Sequence, residues 1–269
     1  MADLGAMRDQ LEYILNIPQG DAFIDSTNEL DLLNIAYRKS AYKYNWPHMI
    51  KRGGTVLAAN VNRYALPTGW RKFDFVFNQG QLCEEVALED IPFSSQAYAV
   101  DVATGEIIFS ERPTTASTAY TTSNGETAGA SVVVELSSVD GLAAGDEIFV
   151  NGTTTPEFSQ IQSVDTAATT ITVKLSTNTT AGDKIYLSNQ IAYYGFYRTV
   201  TDLATSTDVT LLPSASHLII PYYAAYLYFK KLEDDGRAKI NLETWQDELN
   251  DVWLAFDKIS SGASNSFSI

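Results

Sequence analysis

Cys83, His48 and His217 are the only cysteine and histidines in the chain. A Cys/His nucleophile needs thiol and imidazole within hydrogen-bond reach, and a structural zinc site needs about four such ligands at short spacings. Cys83 sits in the strand-like run QLCEEVAL with no histidine nearby. It is expected to be a buried, inert thiol, and a single cysteine excludes an internal disulfide. His48 follows Trp46-Pro47 at a helix end, where a turn or capping role is expected. His217 stands at a helix start and is expected to be structural or solvent-facing. Carboxylate pairs occur at Glu84-Glu85, Glu89-Asp90, Asp146-Glu147 and Asp234-Asp235. Neighbours in a strand point to opposite faces, so adjacency alone makes no acid/base pair. No glycine-rich phosphate loop, G-x-S-x-G, H-E-x-x-H or EF-hand pattern is present. These residues predict a protein that is not an enzyme, with no cofactor and no metal.

Charge narrows the class further. The chain of 269 residues carries 18 Lys and Arg against 33 Asp and Glu, a formal net charge of −15. Tight DNA binding needs clustered cations that release counterions from phosphate. An acidic wall repels phosphate and leaves DNA free to slide. Arg52, Arg63, Arg71 and Lys72 form a modest basic cluster near the first strands. They read either as solvated loop charges or as a contact for an acidic neighbouring subunit. Tyr222, Tyr223, Tyr226, Tyr228 and Phe229 recur at helical spacing, which predicts core packing with one face left for a partner. No run approaches the roughly 20 apolar residues that span a bilayer, and the first residues read as an acidic amphipathic helix, not a signal peptide.

The elements that would carry these residues are legible in part. Leu4, Met7, Leu11 and Ile14 place one apolar stripe on a helix over 3–16, broken by Pro18 and Gly20. Ser26-Thr27-Asn28-Glu29 fits a capping box for a second helix with Leu30, Leu33, Tyr37, Ala41 and Tyr44, ended by Trp46-Pro47. Strands are predicted over 55–66, 70–77 and 81–88, with Phe73, Phe75 and Phe77 on one face. A hairpin over 100–112 turns at Thr104-Gly105. Another strand is predicted at 208–212. A helix to about Asp234 is capped by Ser214 or Ser216, starting or kinking at Pro221. A last helix over 237–259 completes an αα-hairpin.

Composition changes in the middle. Residues 113–190 are rich in Thr, Ser, Ala and Gly and nearly free of Lys and Arg. They contain an internal repeat, AGDEIFVN at 144–151 echoed by AGDKIYLS at 181–188. Thr-rich alternation predicts five or six strands in a small barrel or compact sandwich. The predicted fold is α+β: a discontinuous domain over 1–112 and 191–259, an inserted all-β domain over 113–190, and an extended tail over 260–269.

The ends resemble a family, the head-to-tail adaptors of tailed bacteriophages. The resemblance rests on the amphipathic first helix, Ala22-Phe23-Ile24-Asp25, the helix Leu30–Tyr44 ending at Trp46-Pro47, and the step Arg63-Tyr64-Ala65-Leu66-Pro67-Thr68-Gly69-Trp70. The C-terminal helix pair, Tyr/Ala-rich, then acidic, then bearing Trp and Leu, is similar too. The resemblance implies a homo-oligomeric, dodecameric ring in the virion neck, assembled in the host cytoplasm. The ring would lie below the portal protein, join capsid to a tail or nozzle protein, and continue the DNA channel. It implies helices that make the ring, with Tyr222, Tyr226, Arg63 and Arg71 as ring contacts. It also implies a C-terminal tail that reaches the portal through Phe267 and Ile269. The insert departs from the minimal family pattern and is expected to project outward and contact tail fibres or a tail subunit. The other reading is a tail or fibre-attachment protein whose β-domain binds fibres or host glycan; exposed aromatics among Tyr120, Phe149, Phe158 and Tyr186 would favour it.

Overall fold

The computed structural model describes residues 2–16, 26–152 and 156–263. The architecture is α+β. Chain contacts group it into two compact units, Met1–Met49 with Thr199–Ile269, and Ile50–Arg198. Pro18, Gly20, residues 22–25, the Ser26 side chain, Phe267 and Ile269 lie outside the described residues.

The first unit is helical: α1 (Leu4–Leu15), α2 (Ser26–Lys43), α3 (Ile220–Lys231) and α4 (Asp235–Ala263). Asp3 caps α1 by accepting the Ala6 N–H at 2.9 Å. The buried stripe is Leu4, Met7, Leu11 and Leu15. Ile14 is only half-buried, because a 3.6-residue period carries the stripe on to Leu15. In α2 the buried positions are Leu33, Asn34, Ala36, Tyr37, Ser40 and Ala41, with Leu30 and Tyr44 at the margin. Glu29 is buried in the first turn of α2 with the Arg8 guanidinium 3.8 Å away.

Pro221 falls in the first turn of α3, where its missing N–H leaves no helical bond unmade. Ser216 does not cap that helix; it is buried and donates its hydroxyl to the Pro213 carbonyl. Asp234 caps α4 by accepting the Arg237 N–H at 3.0 Å, after a left-handed Glu233 (φ 61°). The last helix continues to Ala263, so 260–263 are helical and not part of an extended tail. No proline stops it, and each further residue adds a bond to a helix already nucleated. The expected strand at 208–212 is absent. Its neighbourhood spends backbone donors on α2 side chains instead: Leu203 N–H on Asn34, Val200 N–H on Tyr42 and Leu211 N–H on Tyr37.

The second unit is β-rich. In chain order its strands are β1 (Ile50–Thr55), β2 (Arg63–Ala65), β3 (Trp70–Asn78), β4 (Gln81–Leu82), β5 (Glu84–Glu85), β6 (Ala97–Asp101) and β7 (Glu106–Phe109). They continue with β8 (Tyr120–Thr121), β9 (Gly129–Glu135), β10 (Glu147–Asn151), β11 (Glu157–Asp165), β12 (Thr170–Leu175), β13 (Lys184–Leu187) and β14 (Ala192–Arg198). They form three sheets, ordered β1-β14-β3-β4, β2-β7-β6-β5 and β8-β13-β10-β11-β12-β9. The first two share a core of Phe73, Val76, Tyr98, Ile107, Phe109, Tyr194 and Phe196. The predicted hairpin at Thr104-Gly105 joins β6 to β7, with Gly105 at φ 71°.

The expected single face for Phe73, Phe75 and Phe77 is broken by a bulge. Gly195 faces Phe75 while Phe196 faces Phe73, so one extra residue enters β3. Phe73 and Val76 turn to the core, and Phe75 and Phe77 pack on Tyr193 at 5.7 and 4.8 Å between ring centroids. A Cβ on Gly195 would lie 2.5 Å from the Phe75 ring, so only glycine fits there. The region expected to be one strand over 55–66 holds only the last residue of β1, Thr55, and the short β2, and 81–88 is two short strands followed by a 3-10 turn, Leu88–Phe93.

The six-stranded sheet occupies the Thr-rich region and curls into a half-barrel. Its edge strands β8 and β9 meet through the Thr122–Leu136 bridge. Val134, Ile148, Val150, Ile161, Ile171, Val173 and Ile185 fill its interior. The two copies of the repeat are β10 and β13, paired antiparallel with equivalent residues Phe149 and Tyr186 face to face. Both rings point away from the barrel interior and pack with Ile191, Val56, Phe158 and Tyr193. That packing ties the barrel to the strand that follows it.

Candidate interaction surfaces

Three of the four carboxylate pairs have structural work within their own unit. Glu85 accepts the Tyr98 hydroxyl at 3.2 Å, and Glu147 lies 3.4 Å from Arg52. Asp146 accepts the Ala143 N–H, and Asp235 pairs with Lys230 at 2.6 Å. The Arg237 backbone N–H, then its guanidinium, hold the Asp234 carboxyl below the usual range. Among the described residues no group of three or more His, Cys, Asp and Glu side chains is placed to hold a metal. His217 is fully buried, with Nδ1 2.6 Å from the Ala2 carbonyl and Nε2 2.9 Å from the Leu212 carbonyl. The solvent-facing option for this ring is thereby overturned; it ties the start of α1 to the chain before α3. His48 is exposed and sits edge-on to Phe256 at 4.9 Å.

The sequence-derived contact residues fall in both units. Tyr222 and Tyr226 are half-buried, one turn apart on α3. Tyr226 packs on Tyr223 at 5.3 Å, which packs on Trp245 of α4 at 4.6 Å. Arg63 lies on β2 and pairs with Glu106 at 3.1 Å. Arg71 lies on β3, 5.5 Å from the Tyr197 ring centroid. Burial, then the Asp74 carboxylate that accepts its hydroxyl, pushes the Tyr197 phenol up to about 12.

Register adds residues that composition did not group. β14 lies between β1 and β3, pairing Lys51 with Phe196, Tyr197 with Lys72, and Arg198 with Trp70. Lys51, Arg71, Lys72 and Arg198 therefore share one end of one sheet, while Arg63 belongs to another sheet. The alternating aromatics of 191–197 were the available signal for β14, and with that strand in place Arg198 follows. In the helical unit, α4 exposes Glu243, Asp247, Glu248 and Asp251, with Ile240 and Leu254 also exposed. The β unit exposes Leu82, Leu88 and Phe93, the last at 89%.

Of the four aromatics in the Thr-rich region, Tyr120, Phe149 and Tyr186 are buried and Phe158 is half-buried. Phe158 borders a shallow groove of about 380 Å³ with Gln160, Gln162 and Lys174. No helix among the described residues is long and apolar enough to cross a membrane. The chain matches no protein-family model and no curated protein.

Proposed function

We propose that this chain is a structural connector of a tailed bacteriophage, a head-to-tail adaptor that forms a dodecameric ring below the portal, joins capsid to tail and continues the DNA channel. The observation that supports it best is the opposition of charge between two of its surfaces. One end of the β1-β14-β3 sheet carries Lys51, Arg71, Lys72 and Arg198, and the exposed face of α4 carries Glu243, Asp247, Glu248 and Asp251. Unlike surfaces on one chain make head-to-tail contacts between copies, and such contacts close into a ring when the rotation allows. Charge complementarity sets the register of that contact more than its strength.

In this reading Tyr222, Tyr226, Arg63 and Arg71 contribute ring contacts, and Phe267 and Ile269 anchor the C-terminus in the portal. The chain works by surface alone, as a non-enzyme. Its net charge of −15 per copy keeps phosphate from adhering to the channel wall. The test mixes the purified chain with its portal ring and counts bound copies by native mass spectrometry. The expected result is one complete ring per portal. Arg71→Glu should weaken ring formation about tenfold or more, as like charges meet across the contact. Removing 260–269 should abolish docking. Full docking by the truncated chain, or ring formation indifferent to Arg71→Glu and Lys72→Glu together, would overturn these assignments.

A further inference from the structure

Where β3 turns into β4, the β unit encloses a cavity of about 230 Å³ that the connector reading does not use. Asn78, Gln81, Cys83, Gln96, Ser110 and Glu111 line it. That volume is below the roughly 300–1,000 Å³ of pockets for drug-sized ligands, and suits one side chain or a short aliphatic molecule. The lining is polar and rich in acceptors.

Asn78 is 9% exposed, and its buried Oδ1 has no hydrogen-bond partner among the described residues. A buried acceptor left unmet costs about 1–3 kcal/mol in general, so such an atom marks a place where a donor is wanted. Gln81 pairs with Asn78 across the β3-β4 hairpin, and its carbonyl, which has two lone pairs, also meets the Cys83 thiol, a weak donor, at 3.6 Å. Glu111 is exposed at the rim, and no lysine or arginine pairs with it among the described residues. Burial, against the opposing pull of an Asn78 backbone bond and with a smaller push from the Glu111 charge, raises the Cys83 thiol above its ordinary value.

We propose that this cavity binds the cationic end of an alkylammonium or guanidinium group, with Asn78 Oδ1, the Gln81 carbonyl and the Glu111 carboxylate as its acceptors. Lysine ammonium and arginine guanidinium carry donors and no acceptor, the complement of this lining. The cation can come from a free amine or from a Lys or Arg side chain of a partner protein.

Cys83 is the only cysteine of the chain, so its alkylation by N-ethylmaleimide reports on the cavity. The rate is measured with cadaverine, with an acetylated Gly-Lys-Gly amide, with its arginine counterpart, and with pentanediol and sodium chloride as neutral and ionic controls. At about ten times its dissociation constant, a bound cation slows alkylation about tenfold, the fraction of molecules left open. Glu111→Gln, an exposed substitution, should remove that protection while circular dichroism shows the fold retained. Protection by cadaverine assigns the site to free amines, and protection by a peptide alone assigns it to a partner's side chain. Equal protection by pentanediol or salt, no protection by any cation, or protection that survives Glu111→Gln would overturn the proposal.

Discussion

Ser40 serves two aromatic side chains and its own helix at once. Its hydroxyl donates to the Ala36 carbonyl at 2.8 Å and accepts the Trp245 indole N–H at 2.9 Å, while its carbonyl accepts the Trp46 indole N–H at 3.1 Å. All three side chains are buried. Ser40→Ala should cost about 1–3 kcal/mol in urea unfolding, because a buried indole N–H loses its acceptor. Trp245→Phe in that background should recover part of the loss, as donor and acceptor then go together. Asp208 gives the corresponding pH prediction. The Thr205 hydroxyl, then the Thr205 and Ala204 N–H groups, bring its carboxyl down to about 2 from an ordinary 3.8. A depressed carboxylate contributes stability that is whole above about 3.8 and fades as pH falls through about 2. Amide exchange at Ala204 and Thr205 should accelerate across that window, and Asp208→Asn should remove the dependence. The roles of Ser40 and of the buried His217 were not legible in sequence. The partners of Ser40 and His217 stand far along the chain, at Trp245 and at Ala2, and nothing in local spacing joins them.

Elements were legible where their period was undisturbed. The repeat announced β10 and β13, and the structure makes it a local two-fold: Gly145 and Gly182 take φ of 96° and 94°, and Asp146 and Asp183 each accept the N–H three residues back at 2.8 Å. The same turn is thus used twice. Gly145→Ala and Gly182→Ala should each destabilise by about 1–2 kcal/mol through backbone alone. A Cβ at either site meets no atom within 4 Å, so a clash cannot be the cause. Matching losses in thermal unfolding would support the equivalence of the two turns, and a neutral Gly182→Ala would refute it. Period failed where tertiary contacts overrode it. The β3 bulge moved Phe75 and Phe77 off the core face, and Tyr37 took the Leu211 amide that a strand at 208–212 would have paired. The repeat aromatics are buried against Ile191 and Tyr193 and not inside the barrel.

At the scale of the molecule, tyrosine burial sets the alkaline limit of the fold. Burial raises Tyr98, Tyr194 and Tyr197 above the ordinary phenol value of 10.0, Tyr197 to about 12. The fold favours the neutral phenol, so this stability is whole below pH 10 and is lost as pH rises through about 12. Unfolding monitored by tyrosinate absorbance should turn cooperative inside that window, and Tyr197→Phe should move the midpoint upward. Composition located the Thr-rich region correctly as strands, and chain contacts joined it to its flanks, since outward-facing Phe149 and Tyr186 are invisible to a count of residue types. The surfaces proposed for assembly, basic at one sheet end and acidic along α4, are a property of register and helical phase together, and only the folded chain displays them. The central claim is that copies of this chain seal and extend a portal. The most direct measurement is negative-stain imaging of particles assembled without the protein. The account predicts tailless heads that have lost their DNA. Filled heads that carry tails but lack fibres would contradict it and assign the chain to fibre attachment.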